Sequence, residues 1–340
     1  MMMQQAIDKV IRRQDLAETE MMAVMQGIME GKVTDSQIGG FLTALRMKGE
    51  TVEEITASAK VMRSKALVVE VNQPHSIDTC GTGGDQANTF NISTAVAFVA
   101  AAAGVTVVKH GNRSVSSQCG SADVLEKLGV NIDLTPKQVE TCVEQVNMGF
   151  MFAPKFHQAM KYAAAARREL GVRTIFNILG PLTNPAKVKG QVLGVFDESL
   201  TEVMAQVLKE LGVERGMVVH GLDGLDEITT TTKTKVSELK NGMISNYVID
   251  PRQFDIPLTD KEDLAGGDAE KNASIILNIV KGETGGKRNM VLINAGAAIY
   301  VGNAANSLQE GIDRAAEVID MGLALDKLNQ LIKLSQELKV

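Results

Sequence analysis

Aromatic residues are scarce in this chain of 340 residues: tryptophan is absent, and nine phenylalanines and three tyrosines bring the aromatic content to 4%. Surfaces that stack the bases of single-stranded nucleic acid need exposed rings. Binding to a phosphate backbone needs clustered lysine and arginine, whereas the net charge here is −6. We therefore expect no nucleic-acid partner, and we expect any phosphate group to be bound locally.

Cysteine and long apolar stretches are also lacking. The three cysteines, Cys80, Cys119 and Cys142, have no CxxC spacing, which argues against a disulfide framework and against a zinc site. The longest apolar run, residues 95–108, is about 14 residues long, a length that suits a buried helix and strand better than a membrane span. The first ten residues lack the apolar core of a signal peptide. These features predict a soluble, cytoplasmic protein with no membrane partner.

The first seventy residues have a pattern typical of helices only. Three residues that can cap a helix are each followed, three positions on, by a side chain that can bond back to the cap. These pairs are Asp15 with Glu18, Thr34 with Gln37, and Thr51 with Glu54. They predict a small all-helical N-terminal domain over residues 1–72, joined by helices from about residues 160–190. We interpret this domain as a packing or dimerisation unit.

The pattern changes beyond residue 75, where short apolar segments alternate with glycine-rich turns and helices. Strands are predicted near Ile77 and over residues 105–108, 192–196, 217–219 and 291–293. This alternation predicts a larger α/β domain over residues 73–340, with a mostly parallel central sheet flanked by helices. Ligands bind at the carboxyl ends of the strands in such sheets, which is where the glycines and polar residues of this chain cluster.

The first candidate site is a glycine-rich turn after the strand near Ile77. Its sequence is Gly81-Thr-Gly-Gly-Asp85. Glycines allow backbone N–H groups to approach an anion with no Cβ in the way. The spacing matches neither the dinucleotide-binding nor the Walker pattern. Taken alone, the turn is explained equally well as a tight connection.

The second candidate is a predicted helix start with three polar residues, Asn91, Ser93 and Thr94. Free N–H groups and the positive end of the helix dipole favour a phosphate group there. Ordinary N-capping would need only one of the three side chains, so the set favours an anion site.

The third candidate lies on the loop after the strand predicted at residues 105–108. Residues 109–117, KHGNRSVSS, supply two cations, an amide, an imidazole and three hydroxyls. Lysine provides a point charge, and backbone and hydroxyl donors can surround phosphate oxygens. The segment therefore predicts a polyanionic ligand.

Two adjacent carboxylates, Asp226 and Glu227, follow the strand predicted at residues 217–219. Such a pair suits Mg²⁺, which takes one or two carboxylates and completes its shell with water and phosphate oxygens. In isolation, a surface acidic turn would explain the pair. Beside three segments of phosphate-binding type, the metal interpretation is favoured.

In their order along the chain, these motifs and the GPLTNP sequence of residues 180–185 resemble those of the anthranilate phosphoribosyltransferase family. No single motif is decisive, but the ordered set is highly specific and spans the chain. The resemblance implies an enzyme of tryptophan biosynthesis that transfers the 5-phosphoribosyl group of phosphoribosyl pyrophosphate to the amine of anthranilate and releases pyrophosphate. It also implies a homodimer formed through the N-terminal helical domain.

The resemblance further implies which residues hold the phosphoribosyl pyrophosphate and the metal. The sugar phosphate is expected at Gly81, Gly84, Asp85, Thr89, Asn91, Ile92, Ser93, Thr94, Lys109, His110, Gly111, Asn112, Arg113, Ser114, Val115, Ser116, Ser117 and Ser121. Two Mg²⁺ ions are expected at Ser93, Asp226 and Glu227. Cys119 occupies a place that often holds serine in the family, a small departure.

Anthranilate is implied to contact Gly81, Asn112 and Arg167, with His110 and His157 lining the same route. The residues expected to carry the reaction are Lys109, Asn112 and Arg167. On sequence alone, Arg168 is a rival for the role of Arg167.

Two other functions stay open on the sequence. A pyrimidine nucleoside phosphorylase shares the helical-plus-α/β architecture but binds inorganic phosphate and a nucleoside. The intact motif at residues 109–112 and the Asp226–Glu227 pair favour the transferase. A non-catalytic relative that binds nucleic acid is disfavoured by the low net charge.

Overall fold

The structure, a computed structural model, describes residues 2–85, 87–114 and 118–339. Val115, Ser116 and Ser117, three of the predicted phosphate ligands, lie outside these ranges. In the described part, helices occupy both ends of the chain and the strands lie between them.

The described residues form fifteen α-helices and seven strands. The helices are α1 (Met3–Ile11), α2 (Glu18–Met29), α3 (Asp35–Lys48), α4 (Val52–Lys65), α5 (Ile92–Ala102), α6 (Ser121–Lys127), α7 (Pro136–Val146), α8 (Ala153–Phe156), α9 (Lys161–Leu170), α10 (Phe176–Leu179), α11 (Leu200–Glu210), α12 (Ala269–Val280), α13 (Gly286–Val301), α14 (Leu308–Asp320) and α15 (Leu323–Glu337). The strands are β1 (Ile77–Gly81), β2 (Val107–Gly111), β3 (Met148–Phe152), β4 (Gly190–Gly194), β5 (Arg215–Gly221), β6 (Thr234–Lys240) and β7 (Met243–Ile249). Short 3₁₀ turns lie at Gln158–Met160, Gly180–Leu182, Pro251–Phe254 and Lys261–Leu264.

Two of the three predicted helix starts in the N-terminal region are confirmed. The hydroxyls of Thr34 and Thr51 each accept a hydrogen bond from the backbone N–H three residues on, and the side chain at that position bonds back. The start predicted at Asp15 is wrong, because α2 begins after Ala17. The Asp15 carboxylate instead pairs with Lys48 at 2.7 Å, a contact between distant residues that no local pattern shows.

The N-terminal helices share a core with later segments of the chain. Phe41 of α3 belongs to the same buried cluster as Ala163 and Ala166 of α9 and Phe176 of α10. Residues 158–170, which lead into this part of the core, form a 3₁₀ turn followed by α9. The chain therefore returns to the N-terminal helices after it has formed the first three strands.

The seven strands form one sheet in the order β3-β2-β1-β4-β5-β6-β7. Strands β3, β2, β1, β4 and β5 pair in parallel with their neighbours in this order. Strand β6 is antiparallel to β5, and β7 is antiparallel to β6. Successive residues of β5 point to opposite faces, so that Met217 and Val219 enter one buried cluster and Val218 enters another. Helices around a mostly parallel sheet, with a helical N-terminal region, confirm the predicted fold class.

The strand predicted at residues 291–293 is wrong, since these residues lie inside α13. Residues 290–301 of this helix are all buried. A helix buried on every side has no apolar stripe, so its sequence cannot be distinguished by periodicity from a buried strand. Strands β3, β6 and β7 were not predicted. No helix of the described ranges is long and apolar enough to cross a bilayer.

Candidate active site

The predicted site segments meet at the carboxyl edge of the sheet. Gly81 ends β1, Gly111 ends β2, Gly194 ends β4 and Gly221 ends β5. Because these strands are parallel neighbours, their ends lie side by side. The glycine-rich turn follows β1, residues 112–114 follow β2, and the acidic pair comes after β5.

The glycine-rich turn after β1 folds onto the acidic pair. Gly83 and Gly84 have φ angles of +66° and +79°, a region that favours glycine. The Gly83 N–H donates a hydrogen bond to Asp226 Oδ2 at 2.7 Å. A Cβ on Gly81 would lie 2.3 Å from the same oxygen. Glycine at position 81 is therefore required by the close approach of the Asp226 carboxylate.

Arg173 is a contact of this turn that the sequence analysis missed. Its Nη2 donates to the carbonyl oxygen of Gly84. Its guanidinium carbon lies 4.2 Å from the centroid of the Phe196 ring. Arg173 and Gly84 are 89 residues apart in the chain, and a single arginine in a connecting loop has no local pattern that could have indicated the contact.

The start of α5 is close to the prediction, with Asn91 directly before the helix. The Asn91 side chain does not cap the helix. Its Nδ2 donates to the carbonyl oxygen of Cys119 at 3.1 Å, and its Oδ1 accepts from Asn272 Nδ2 at 2.9 Å. The amide of Asn91 thus joins two other segments beside the site.

Ser93 is the residue of this segment that faces the acidic pair. Its backbone N–H donates to the carboxylate of Glu227, and its Oγ accepts from Lys109 Nζ at 3.2 Å. The neighbouring Ile92 and Thr94 are buried. The helix start, strand β2 and the acidic pair therefore meet at one residue, through its backbone N–H and its hydroxyl.

Lys109 lies inside strand β2 and not on the loop after it, which corrects the prediction, because β2 extends to Gly111. The Lys109 side chain is only 1% exposed. Its Nζ donates to the carbonyl oxygen of Thr79 and to Ser93 Oγ. A buried ammonium is costly unless polar or anionic groups surround it, and these contacts hold it beside the acidic pair.

Asp78 and Asn184 form a buried support beneath β2. Asp78 Oδ1 accepts from the His110 N–H at 3.3 Å, and Asp78 Oδ2 accepts from Asn184 Nδ2 at 2.8 Å. Asn184 Nδ2 also donates to the carbonyl oxygen of Val108 at 2.8 Å. Burial raises the pKa of Asp78. Part of the motif at residues 180–185 therefore supports the strand that carries Lys109.

The two histidines form a buried pair with ring centroids 4.9 Å apart. Burial, with the charges of His157 and Lys109, lowers the pKa of His110 to about 3. Burial lowers the pKa of His157 to about 4. In the described part of the chain, neither Nε2 atom has a hydrogen-bond partner. Both rings are therefore neutral at pH 7.

Asn112 and Arg113 follow β2 and are both exposed. Asn112 Oδ1 accepts from the Arg113 N–H at 2.7 Å. The Arg113 guanidinium pairs with Asp123 at 2.9 Å and also with Glu126, both on α6. A phosphate at Arg113 would therefore compete with two carboxylates.

The remaining predicted phosphate ligands lie at the margins of this edge. Thr89 forms an isolated bridge with Ala265, and Ser121 is the first residue of α6. A Cβ on Gly120, just before Ser121, would lie 2.6 Å from the carbonyl oxygen of Asn112. The start of α6 is therefore pressed closely against the end of β2.

The acidic pair packs directly on the sheet. A Cβ on Gly194 would lie 1.5 Å from the backbone oxygen of Asp226. Burial raises the pKa of Asp226, and the nearby Asp85 adds to the rise. Burial also raises the pKa of Glu227, with a further contribution from Asp226 that the charge of Lys109 opposes. Three half-buried carboxyl groups thus lie close together.

This crowding is what a bound cation would relieve. Two adjacent carboxylates beside a serine hydroxyl are hard oxygen ligands, as Mg²⁺ prefers, and they leave positions for water and phosphate oxygens. Among the described residues, no three His, Cys, Asp or Glu side chains form a complete protein metal site. The donor set therefore fits an ion that is shared between protein and ligand.

Arg167 and Arg168 differ in their surroundings on α9. Arg167 is half-buried, and its guanidinium carbon lies 5.2 Å from the centroid of the Phe176 ring. Burial lowers the pKa of Arg167, and no acidic side chain of the described ranges pairs with it. Arg168 is exposed. This difference favours Arg167 as the partner of a carboxylate ligand.

The fold and the site together define a class of glycosyltransferase. Residues 4–66 match the family described as "Glycosyl transferase family, helical bundle domain". Residues 73–325 match "Glycosyl transferase family, a/b domain". The helices before β1 and the sheet-containing part of the chain correspond to these two matches.

Individual relatives narrow this class. A curated anthranilate phosphoribosyltransferase of Acetivibrio thermocellus is 60% identical over 332 residues, which cover 98% of this chain and 96% of the relative. The crystal structure of anthranilate phosphoribosyltransferase from Thermus thermophilus has a TM-score of 0.93 at 41% identity and covers 97% of this chain and 99% of that chain. The Saccharomyces cerevisiae enzyme in complex with PRPP and Mg has a TM-score of 0.90 at 26% identity over 98% of each chain. This chain belongs to the anthranilate phosphoribosyltransferase family, as the order of its motifs predicted.

Proposed function

We propose that this chain transfers the 5-phosphoribosyl group from phosphoribosyl pyrophosphate to the amine of anthranilate. The products are N-(5-phosphoribosyl)anthranilate and pyrophosphate, in a step of tryptophan biosynthesis. The observation that carries the proposal is the buried Lys109 beside the crowded acidic pair, in a chain 60% identical to an enzyme named for this activity. The yeast relative was solved with PRPP and Mg, a ligand and an ion that this arrangement suits.

The sugar phosphate is assigned to the edge formed by the glycine-rich turn, the start of α5 and the end of β2. Backbone N–H groups of the turn and of the helix start are suitable donors for phosphate oxygens. Ser121, at the start of α6, lies beside the end of β2. These positions support the phosphate contacts that the resemblance implies.

Two Mg²⁺ ions are assigned to Ser93, Asp226 and Glu227 together with phosphate oxygens. When bound, Mg²⁺ would neutralise negative charge on the leaving pyrophosphate. The raised pKa values of Asp226 and Glu227 support this assignment, because burial and neighbouring carboxyl groups disfavour the charged forms and a bound cation would favour them.

The reaction forms a bond from the anthranilate nitrogen to the anomeric carbon and breaks the bond from that carbon to pyrophosphate. Positive charge develops on the ribose ring and negative charge on the leaving group. Lys109 is held in place by hydrogen bonds to Thr79 and Ser93. A preorganised charge of this kind is commonly the largest contribution to rate acceleration.

The nucleophile is an aromatic amine that is already neutral at pH 7, so it needs orientation more than a general base. Arg167 is assigned to the anthranilate carboxylate, with Gly81 and Asn112 completing the contacts. His110 and His157 are assigned to lining the route. The proton released from the product goes to water or to pyrophosphate.

The transferase is favoured over a pyrimidine nucleoside phosphorylase because the relatives described above are named as transferases. The acidic pair beside Lys109 supports the same choice. No observation favours a nucleic-acid-binding function.

We further propose that the protein is a cytoplasmic homodimer formed through its N-terminal helical domain. This domain is taken as residues 1–72 together with helices from residues 160–190. The rest of residues 73–340 forms the α/β domain. Two apolar side chains of these helices, Ile11 and Met47, are 64% and 74% exposed, and contact with a second copy would remove such side chains from water. The core shared by α3, α9 and α10 supports the grouping of these helices. Light scattering of the purified protein measures the oligomeric state.

The activity is tested by following anthranilate fluorescence in the presence of phosphoribosyl pyrophosphate and Mg²⁺. Omission of either component is expected to stop the loss of anthranilate. A parallel reaction with thymidine and inorganic phosphate tests the phosphorylase. Product from thymidine together with unchanged anthranilate would overturn the proposed function.

A further inference from the structure

Asn294 is a buried amide in the middle of helix α13, where the neighbouring positions are almost all apolar. Its side chain is 1% exposed. A buried amide is costly unless its hydrogen-bonding groups are satisfied. The partners of Asn294 therefore indicate what the amide does.

Asn294 forms hydrogen bonds with both the backbone N–H and the carbonyl group of Ile228, the residue directly after the acidic pair. Its Oδ1 accepts from the Ile228 N–H at 2.9 Å, and its Nδ2 donates to the Ile228 carbonyl oxygen at 2.8 Å. Its Nδ2 also donates to the carbonyl oxygen of Met290 at 2.9 Å. The amide thus gives Ile228 the donor and the acceptor that a neighbouring strand would supply.

This contact lies next to Glu227 in the chain. On the other side of Glu227, Asp226 accepts from Gly83 N–H and its backbone lies against Gly194. Consecutive Cα atoms are about 3.8 Å apart, so a displacement of Ile228 is passed directly to Glu227. Glu227 is therefore held between a contact at the sheet edge and a contact to α13.

We propose that Asn294 is a positioning residue for the acidic pair, which keeps the Glu227 carboxylate at the sheet edge by holding the backbone of Ile228. The inference rests on the proposed function, because the acidic pair is assigned to Mg²⁺ there. The hydrogen bonds of the Asn294 side chain go to backbone groups and not to the two carboxylates. Partners that orient metal ligands in this way commonly change metal affinity by about 10- to 100-fold when they are replaced.

The test uses the full-length protein with Asn294→Leu, which removes the amide from an apolar environment at similar volume. Asn294→Ser is measured in parallel, so that a folding failure of one variant leaves the other. The matched control is Asn131→Leu. The Asn131 amide also accepts from a backbone N–H, that of Asp133, and donates to a backbone carbonyl, that of Ser335, and none of these residues belongs to the site.

Binding of phosphoribosyl pyrophosphate is measured by calorimetry over a Mg²⁺ titration, without anthranilate. We expect the Mg²⁺ concentration for half-maximal binding to rise about tenfold or more in the Asn294 variants and to stay at the wild-type value in the control. The KM for anthranilate at saturating Mg²⁺ is expected to stay within about twofold of wild type, since Arg167 is untouched. Hydrogen exchange of the backbone around Ile228 is expected to be faster only in the Asn294 variants.

A folded Asn294 variant with a wild-type Mg²⁺ requirement would overturn the proposal. An equal rise in the Asn131 control would also overturn it, because the effect would then be one of general stability. If the wild-type protein binds no phosphoribosyl pyrophosphate at any Mg²⁺ concentration, the proposed function itself is wrong and the inference falls with it.

Discussion

The acidic groups of the site, Asp85, Asp226 and Glu227, and its basic groups, Lys109 and Arg113, differ in whether the protein itself supplies their partners. Asp85, Asp226 and Glu227 crowd together, and burial with mutual repulsion raises the pKa of the last two. Lys109 and Arg113, by contrast, are already bonded to groups of the protein. The acidic part is therefore the part that a bound cation would stabilise, whereas the basic part is already bonded to the folded framework. Substitutions in the acidic part should therefore reduce turnover. Substitutions of the buried residues that support strand β2 should reduce the free energy of unfolding.

The largest expected effect comes from replacing both members of the acidic pair. Asp226→Ala with Glu227→Ala removes the proposed metal ligands, and we expect kcat to fall by more than about 10³-fold. The free energy of unfolding is expected to stay the same or to rise, because repulsion between buried carboxyls is removed. Turnover and urea unfolding are measured together. Mg²⁺-dependent turnover in the double variant would show that the metal is held elsewhere.

The matched control for that experiment is a second pair of adjacent carboxylates. Glu262 and Asp263 are exposed in a 3₁₀ turn. Replacing both with alanine removes the same formal charge from the protein. Unchanged turnover in this control would attribute the loss to the acidic pair and not to net charge.

The support beneath β2 is tested with Asn184→Leu. The change removes the 2.8 Å hydrogen bonds to Asp78 and to the Val108 carbonyl. We expect the free energy of unfolding to fall by about 3 kcal/mol, because a buried carboxyl and a buried carbonyl lose their partner. Urea denaturation measures the loss. Full stability together with an altered Mg²⁺ requirement would contradict the division between the two parts of the site.

A smaller effect is expected from Arg167→Ala. Loss of a charge-assisted hydrogen bond to the anthranilate carboxylate should raise the KM for anthranilate by about 10- to 100-fold while kcat changes little. Arg168→Ala, one residue away and exposed, is the control and should leave KM unchanged. Steady-state kinetics with varied anthranilate decide between them. An unaltered KM in the Arg167 variant would rule out its assigned role.

The histidine pair gives the basic part of the site a dependence on pH. The pKa values of His110 and His157 in the folded protein, about 3 and about 4, lie below the ordinary value of 6.5. At pH values between the folded and the ordinary pKa, the unfolded chain binds more protons than the folded protein does. The free energy of unfolding therefore decreases as the pH falls below 6.5. We expect each histidine to cost about 2 kcal/mol by about pH 5 relative to neutral pH.

His157→Ala should reduce this pH dependence of the free energy of unfolding by about half, since one of the two buried rings is removed. Turnover at neutral pH is expected to fall only by about a few-fold, because neither ring is assigned a proton transfer. Urea unfolding at several pH values tests the first expectation. An unchanged pH dependence would show that the ring is not held neutral in the folded protein.

Features that depend on neighbouring residues could be predicted from the sequence. Thr34 and Thr51 cap their helices with partners three residues away, and Asn91 directly precedes α5. The glycines of the turn after β1 were predicted as positions where the backbone approaches another group. In each case the interaction is either local or follows from the conformational range of glycine.

The errors share a different cause. Asp15 has the chemistry of a cap but pairs with a lysine 33 residues away. The apolar run at residues 291–293 is helical because its surroundings bury every side. Lys109 was placed on a loop because hydrogen bonds between strands, which extend β2 to Gly111, join residues far apart in the chain. Tertiary contacts override local preference at these positions.

The sequence by itself determined the chemical groups of the site, their order along the chain and the family to which they belong. These follow from residue types and short spacings. Only the tertiary structure decided which groups are free to act. It paired Arg113 with Asp123 and Glu126, and it supported β2 through a contact between Asp78 and Asn184, 106 residues apart. Burial and hydrogen bonding depend on all the segments that meet at a point, and a single segment does not contain that information.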